Sequence, residues 1–204
     1  LIAFLMKGPF SSPNADSAVW KPAPDLNVSF ARLKNAHKEP QNWLTYSGGY
    51  MSQRYSPLTQ VTPGNAEDLE LKWVFQARWL DYMQSTPLVV DGIMYATQGN
   101  DVVALDATTG TALWRFDTTP HAVKTIVNRD GVQMWGPSGA VVWNAPTIDA
   151  KRGALYFGTG QNSSSPATDT SDSIIALDLK TGEKRWIFQA LADDAWNAAC
   201  LSGG

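Results

Sequence analysis

The chain has 204 residues, enough for one or two domains around a sizeable core. With 44% hydrophobic and 17% charged residues, 16 Gly, 12 Pro and 9 Trp, it is not a disordered chain but a β-rich, turn-rich one. The formal net charge of −3 argues against a nucleic-acid or anionic-membrane surface, and no apolar run approaches the ~20 residues of a membrane span.

The first stretch, Leu1-Ile2-Ala3-Phe4-Leu5-Met6, has neither an initiator Met nor a basic flank, so it reads neither as a signal peptide nor as a complete N-terminus. Residues 1–7 are expected to close an amphipathic helix, after which Pro9, Pro13, Pro22 and Pro24 make a linker. Residues 29–38 read as a short helix ended near Pro40, so 1–38 form an N-terminal helical and linker unit and 39–204 the main domain. An aromatic and glycine-rich stretch, 42–50, follows. A capped helical turn is expected at 65–69 and a strand at 71–76.

The main domain is built on a repeat. Residues 104–114 read Ala-Leu-Asp-Ala-Thr-Thr-Gly-Thr-Ala-Leu-Trp and residues 176–186 read Ala-Leu-Asp-Leu-Lys-Thr-Gly-Glu-Lys-Arg-Trp. In each, a short apolar run, a turn bearing Asp and Gly, and a second run predict a hairpin within a meander. Trp114 and Trp186 close the copies, and so large an apolar ring with one donor is best used between neighbouring sheets. A four-stranded sheet of this kind cannot bury both faces alone, so the copies predict stacked propeller blades, the rival being a β-sandwich with two chance hairpins. About two to three blades are present, fewer than the 4–8 that close a ring, which predicts an open arc. The second copy carries a polar insert, 161–171, where the first has only Gln98-Gly99-Asn100-Asp101; an insert on one face of a repeat points to function. Cys200 is the only cysteine, either a free thiol or half of a bridge with a partner beyond residue 204.

Several longer motifs give the chain a resemblance. Glu39-Pro40-Gln41-Asn42-Trp43, Arg54-Tyr55-Ser56-Pro57-Leu58 and Ser85-Thr86-Pro87-Leu88-Val89-Val90-Asp91-Gly92 resemble the opening of the quinoprotein alcohol dehydrogenases. Trp135-Gly136-Pro137-Ser138-Gly139-Ala140, Gly158-Thr159-Gly160-Gln161-Asn162 and Asp194-Ala195-Trp196-Asn197-Ala198-Ala199-Cys200 are most similar to its polyvinyl-alcohol dehydrogenase branch. The resemblance implies an all-β, eight-bladed propeller whose repeat is a tryptophan-docking motif. It also implies a periplasmic enzyme using pyrroloquinoline quinone (PQQ) and calcium or another hard cation. Its substrate would be a small-molecule or polymeric alcohol, secondary alcohols included, and its electron acceptor a cytochrome c-type protein. Haem c is implied only if a cytochrome domain precedes residue 1, whose last helix residues 1–5 resemble.

The resemblance further assigns Trp143 as the floor on which PQQ stacks, with Gln161 and the adjacent Asn162 as metal ligands. Without it, Trp143 reads as one more packing tryptophan and Gln161-Asn162 as a polar loop tip. The family's catalytic base closes an Asp-x-Trp-Asp motif. Here that position is Asn197, an amide that accepts no proton at ordinary pH, while Asp194 opens the motif and reads as a structural acceptor. The family's glutamate ligand and vicinal cysteines have no counterpart, and Trp114-Arg115-Phe116-Asp117 runs directly into Thr118-Thr119-Pro120, so a join between two similar repeats is expected there, with about two blades lost. Two other readings follow: a non-catalytic propeller scaffold that binds a protein partner, and an inactive truncated copy.

Overall fold

The computed structural model describes residues 2–5, as backbone, together with 22–77 and 84–196. The first strand, β1 (Ile2–Leu5), pairs antiparallel with β2 (Leu71–Phe75). The helix expected at residues 1–7 is therefore a strand over 2–5: four residues are too few to repay helix nucleation, and the open edge of β2 supplies backbone partners. A four-stranded meander follows in the order β3 (Leu88–Val90), β4 (Ile93–Gln98), β5 (Asp101–Asp106), β6 (Ala112–Asp117). Next come a hairpin of β7 (Val123–Val127) and β8 (Gln133–Gly136), and the two-residue β9 (Ser138–Gly139). A second meander is formed by β10 (Thr147–Asp149), β11 (Ala154–Gly158), β13 (Ser173–Asp178) and β14 (Lys184–Gln189), while β12 (Asn162–Ser164) leaves it to pair with β9. No helix among the described residues is long and apolar enough to cross a membrane.

Both repeat turns close in the same way. The Oδ1 of Asp106 accepts from the N–H groups of Thr108 and Thr109, each at 2.9 Å, and Gly110 N–H donates to the Asp106 carbonyl at 2.8 Å. In the second copy Asp178 Oδ1 accepts from Lys180 and Thr181 N–H at 2.9 Å, and Gly182 N–H donates back to the Asp178 carbonyl at 2.9 Å. Each aspartate thus holds its turn by mimicking backbone, and each glycine takes φ +72° without the penalty a Cβ would bring.

The same glycines receive a tryptophan from the preceding sheet. Trp73 of β2 lies on Gly110 and donates from Nε1 to the Ala107 carbonyl at 3.2 Å; Trp114 of β6 lies on Gly182 and donates to the Leu179 carbonyl at 3.1 Å. A Cβ added at Gly110 would stand 2.5 Å from Trp73 Cδ2, and one at Gly182 would stand 2.6 Å from Trp114 Cε3. Three sheets are thereby chained, and the two repeat copies are neighbours in space. One core, with Trp73, Phe75, Met94, Val103 and Leu105, fills the gap from β2 to the first meander. Another, with Tyr95, Val102, Trp114, Leu155, Phe157, Ile175 and Leu177, fills the gap between the meanders. All of β4 is buried because both faces of its sheet are covered, whereas β14 is largely exposed and Trp186 is 47% open.

The expected helix at 29–38 divides into α1 (Phe30–Lys34), capped by Ser29 Oγ accepting from Arg32 N–H at 3.1 Å, and a 3-10 turn at Ala36–Lys38. Arg32 ties this segment to the β3–β4 turn by bonding Glu39 at 2.6 Å and Asp91 at 2.5 Å. Its guanidinium hydrogen bonds hold both carboxyls below their usual range. Their contribution is therefore complete above the ordinary carboxylate pKa and lost as pH falls through the lowered folded values. Wild type and Arg32→Gln should differ by about 1 kcal/mol at neutral pH, because these groups are partly solvated. The difference should begin to shrink below about pH 4 and be gone only once the pH is under the lowered folded values, in urea unfolding followed across pH. Independently, Gly182→Ala should destabilise by about 2–4 kcal/mol, from strained φ plus contact with Trp114. Gly92→Ala, with φ +82° but nothing within 4 Å of its Cβ, should cost about 1 kcal/mol in the same measurement.

Candidate functional site

The ends of the two meanders meet around the segment from Ser138 to Asn144. Val142 N–H donates to the Gly99 carbonyl of the β4–β5 turn at 2.7 Å, and Thr97 Oγ1 donates to the Asn144 carbonyl at 2.7 Å. On the other side Ala140 N–H reaches the Gln161 carbonyl at 2.7 Å, Gly160 N–H the Val141 carbonyl at 3.1 Å, and Asn144 Nδ2 the Gly158 carbonyl at 2.9 Å. Trp143 is thus held by bonded neighbours on both sides. Its ring rests on Gly160, where a Cβ would come within 3.0 Å of Cη2, yet the residue is 54% exposed. Trp73 and Trp114 are buried between sheets; Trp143 presents an indole to solvent on a fixed mount.

The adjacent amides differ. Asn162 is fully buried: its Nδ2 donates to the Ser138 carbonyl at 3.1 Å, and its Oδ1 accepts from Thr168 N–H at 2.7 Å and Thr168 Oγ1 at 3.1 Å. Both ends of that amide are spent stapling the polar insert to β9. Gln161 is half-buried and its side chain makes no hydrogen bond among the described residues, so its carbonyl oxygen is the more available donor to a hard cation. Asp194 is drawn to the site through its backbone, its carbonyl accepting from Asn162 N–H at 3.1 Å. Asn197 lies outside the described residues, as does Cys200.

One residue at the site was not evident from the sequence. Asp172, at the end of the insert, donates its N–H to the Gly160 carbonyl at 3.0 Å and takes φ +46°. Burial, and next the charge of Asp194, push its carboxyl above the usual range, and its buried Oδ2 has no hydrogen-bond partner among the described residues. An aspartate just before a strand ordinarily reads as a turn residue, so its type and position gave no signal. Among the described residues no three of His, Cys, Asp and Glu gather as a metal cluster. The site therefore offers a flat apolar platform, one amide oxygen and two neighbouring carboxyls. The platform fits a planar cofactor; a cation would depend on Gln161 for its neutral ligand.

Antiparallel four-stranded sheets chained by docked tryptophans, with one sheet face left open, define an incomplete β-propeller. The chain belongs to the PQQ family, the glucose/ethanol/alcohol dehydrogenase β-propeller domain, whose model matches residues 43–140 and again 129–200. It is 43% identical over 104 residues to a polyvinylalcohol dehydrogenase of Sphingopyxis sp., covering 50% of this chain and 16% of that one. It is 35% identical over 162 residues to the dehydrogenase subunit of the quinone alcohol dehydrogenase of Gluconacetobacter polyoxogenes, covering 79% of this chain and 19% of that one. The chain thus spans less than a fifth of the length of these relatives. Among solved structures, the quinohemoprotein alcohol dehydrogenase ADHIIG of Pseudomonas putida aligns with a TM-score of 0.38 at 21% identity, over 85% of this chain and 44% of that one.

The division between the two amides has a direct test. Asn162→Ala should destabilise by about 2–4 kcal/mol, since the Ser138 carbonyl and Thr168 donors lose their partner. Gln161→Ala should stay within about 0.5 kcal/mol of wild type in urea unfolding.

Proposed function

We propose that this chain carries one wall of the PQQ pocket of an alcohol dehydrogenase, with Trp143 as the floor under the cofactor. The observation that supports this reading is the half-exposed indole on its Gly160 mount, in a family defined by PQQ. Bound PQQ supplies an ortho-quinone that accepts hydride from an alcohol. The chain's own part is to present a rigid plane through Trp143 and to offer the Gln161 oxygen to a calcium-like cation. At the position of the family's base stands Asn197, which cannot take a proton, so the alcohol proton would have to go to a carboxylate; Asp172 and Asp194 are those at hand. Polyvinylalcohol dehydrogenase among the relatives supports secondary or polymeric alcohols as the substrate class. A periplasmic setting and a cytochrome c-type acceptor complete the proposal.

PQQ should quench the tryptophan fluorescence of the wild-type chain. Trp143→Ala should lose the quenching, and Gly160→Ala, which displaces the indole, should weaken it about tenfold or more. Dye-linked oxidation of a secondary alcohol with PQQ and calcium then separates the readings. Quenching with turnover supports a working dehydrogenase, and quenching without turnover supports an impaired copy. No quenching would contradict the pocket and favour a scaffold that binds a protein partner.

A further inference from the structure

A cleft opens where α1 and the 3-10 turn after it face the loop 47–57. It encloses about 540 Å³ and is lined by Lys34, His37, Tyr50, Met51, Arg54 and Tyr55 among others, none of which belongs to the Trp143 site. Both walls are anchored on the first meander. Trp43 exchanges backbone hydrogen bonds with Val89 of β3 at 2.8 and 3.0 Å, and Gly48 rests on its ring, where an added Cβ would stand 2.9 Å from Cη2. Arg32 of α1 is held between Glu39 and Asp91, so those two carboxylates are already spent on a cation that does not line the cleft.

Lys34, His37 and Arg54 put three basic groups on one cleft of a chain whose net charge is −3, and no aspartate or glutamate lines it among the described residues. Among the described residues none of the three side chains makes an ion pair or a hydrogen bond. Ser52 and Arg54 take left-handed φ of +52° and +51°, strained for residues with a Cβ, and the Arg54 guanidinium stands 4.7 Å over the Tyr46 ring. A cation–π contact leaves the guanidinium N–H fork without an oxygen partner, and that fork matches a carboxylate two bonds at a time. Tyr50 and Tyr55, 59% and 74% exposed, supply flat apolar surface in the same cleft, and Met51 adds a soft one. The unmatched positive charge disfavours cations, and the rings favour an anion with a flat apolar body over a bare phosphate or sulfate. We propose that this cleft binds a small aromatic carboxylate, its charged end on Arg54 and Lys34 and its ring against Tyr50 and Tyr55.

The test is calorimetric titration of the chain, at fixed ionic strength, with sodium benzoate, with benzyl alcohol as its neutral counterpart and with sodium acetate as the anion without a ring. Benzoate should bind in about the millimolar range, and both controls at least about tenfold more weakly. Arg54→Gln should weaken benzoate binding about tenfold and Tyr55→Ala about threefold, both with the thermal midpoint little changed because these side chains are exposed. Trp143→Ala should leave benzoate binding as in wild type, which separates this cleft from the proposed PQQ floor. A benzyl alcohol or acetate affinity equal to that of benzoate, absence of heat from benzoate up to about 50 mM, binding that survives either substitution in the cleft, or binding lost with Trp143 would overturn the proposal.

Discussion

An indole laid on a glycine is the contact from which the rest of this structure follows. Trp73 covers Gly110 and Trp114 covers Gly182, each ring also donating its one hydrogen bond to a carbonyl of the turn it covers. The contact needs three sequence features at once. An aspartate must fix the turn, a glycine must tolerate both φ +72° and a ring closer than any Cβ allows, and a tryptophan must stand at the end of the previous sheet. Because each sheet gives a tryptophan to the next and takes one from the last, the contact has a direction. It buries both faces of the first meander and leaves the outer face of the second, with Ile174, Trp186 and Phe188, exposed.

The site depends on that stacking. The segment from Ser138 to Asn144 belongs to neither meander; it is held at one side by Gly99 and Thr97 and at the other by Gly158, Gly160 and Gln161. Thr118 adds a buried tie, its hydroxyl lying 3.0 Å from the Asn100 carbonyl and 2.8 Å from the Ala140 carbonyl, with one proton to give to either. If the two meanders turned relative to each other, Trp143 would lose its mount. The docking tryptophans and Trp143 therefore do different work with the same ring: the former are consumed by packing, and the latter is held out of it.

The repeat was legible because its chemistry is local. Asp, Gly and Trp at fixed spacing state the turn, the positive φ and the docked ring without reference to distant residues, and the meanders form where that spacing places them. The short helix at 29–38 was legible in part, with its end set by Pro40 in the sequence, though Asn35 ends α1 before that boundary. Residues 2–5 were misread as a helix end because their strand exists only by pairing with β2, far along the chain. Trp143 and Gln161 could be singled out only through resemblance, since nothing local separates an exposed indole from a packed one. That Asn162 is a staple and that Asp172 sits beside Asp194 are both products of long-range pairing, which residue types alone do not encode.

The chain of docked indoles makes the two tryptophans of the repeat unequal although their motifs match: Trp114 is covered and Trp186 is open. The most direct measurement is equilibrium unfolding of Trp114→Ala beside Trp186→Ala. Stability should fall by about 3–5 kcal/mol for Trp114→Ala, with coupling between the meanders weakened, and by less than about 1 kcal/mol for Trp186→Ala. Equal losses at the two positions, or a larger one at Trp186, would contradict the account.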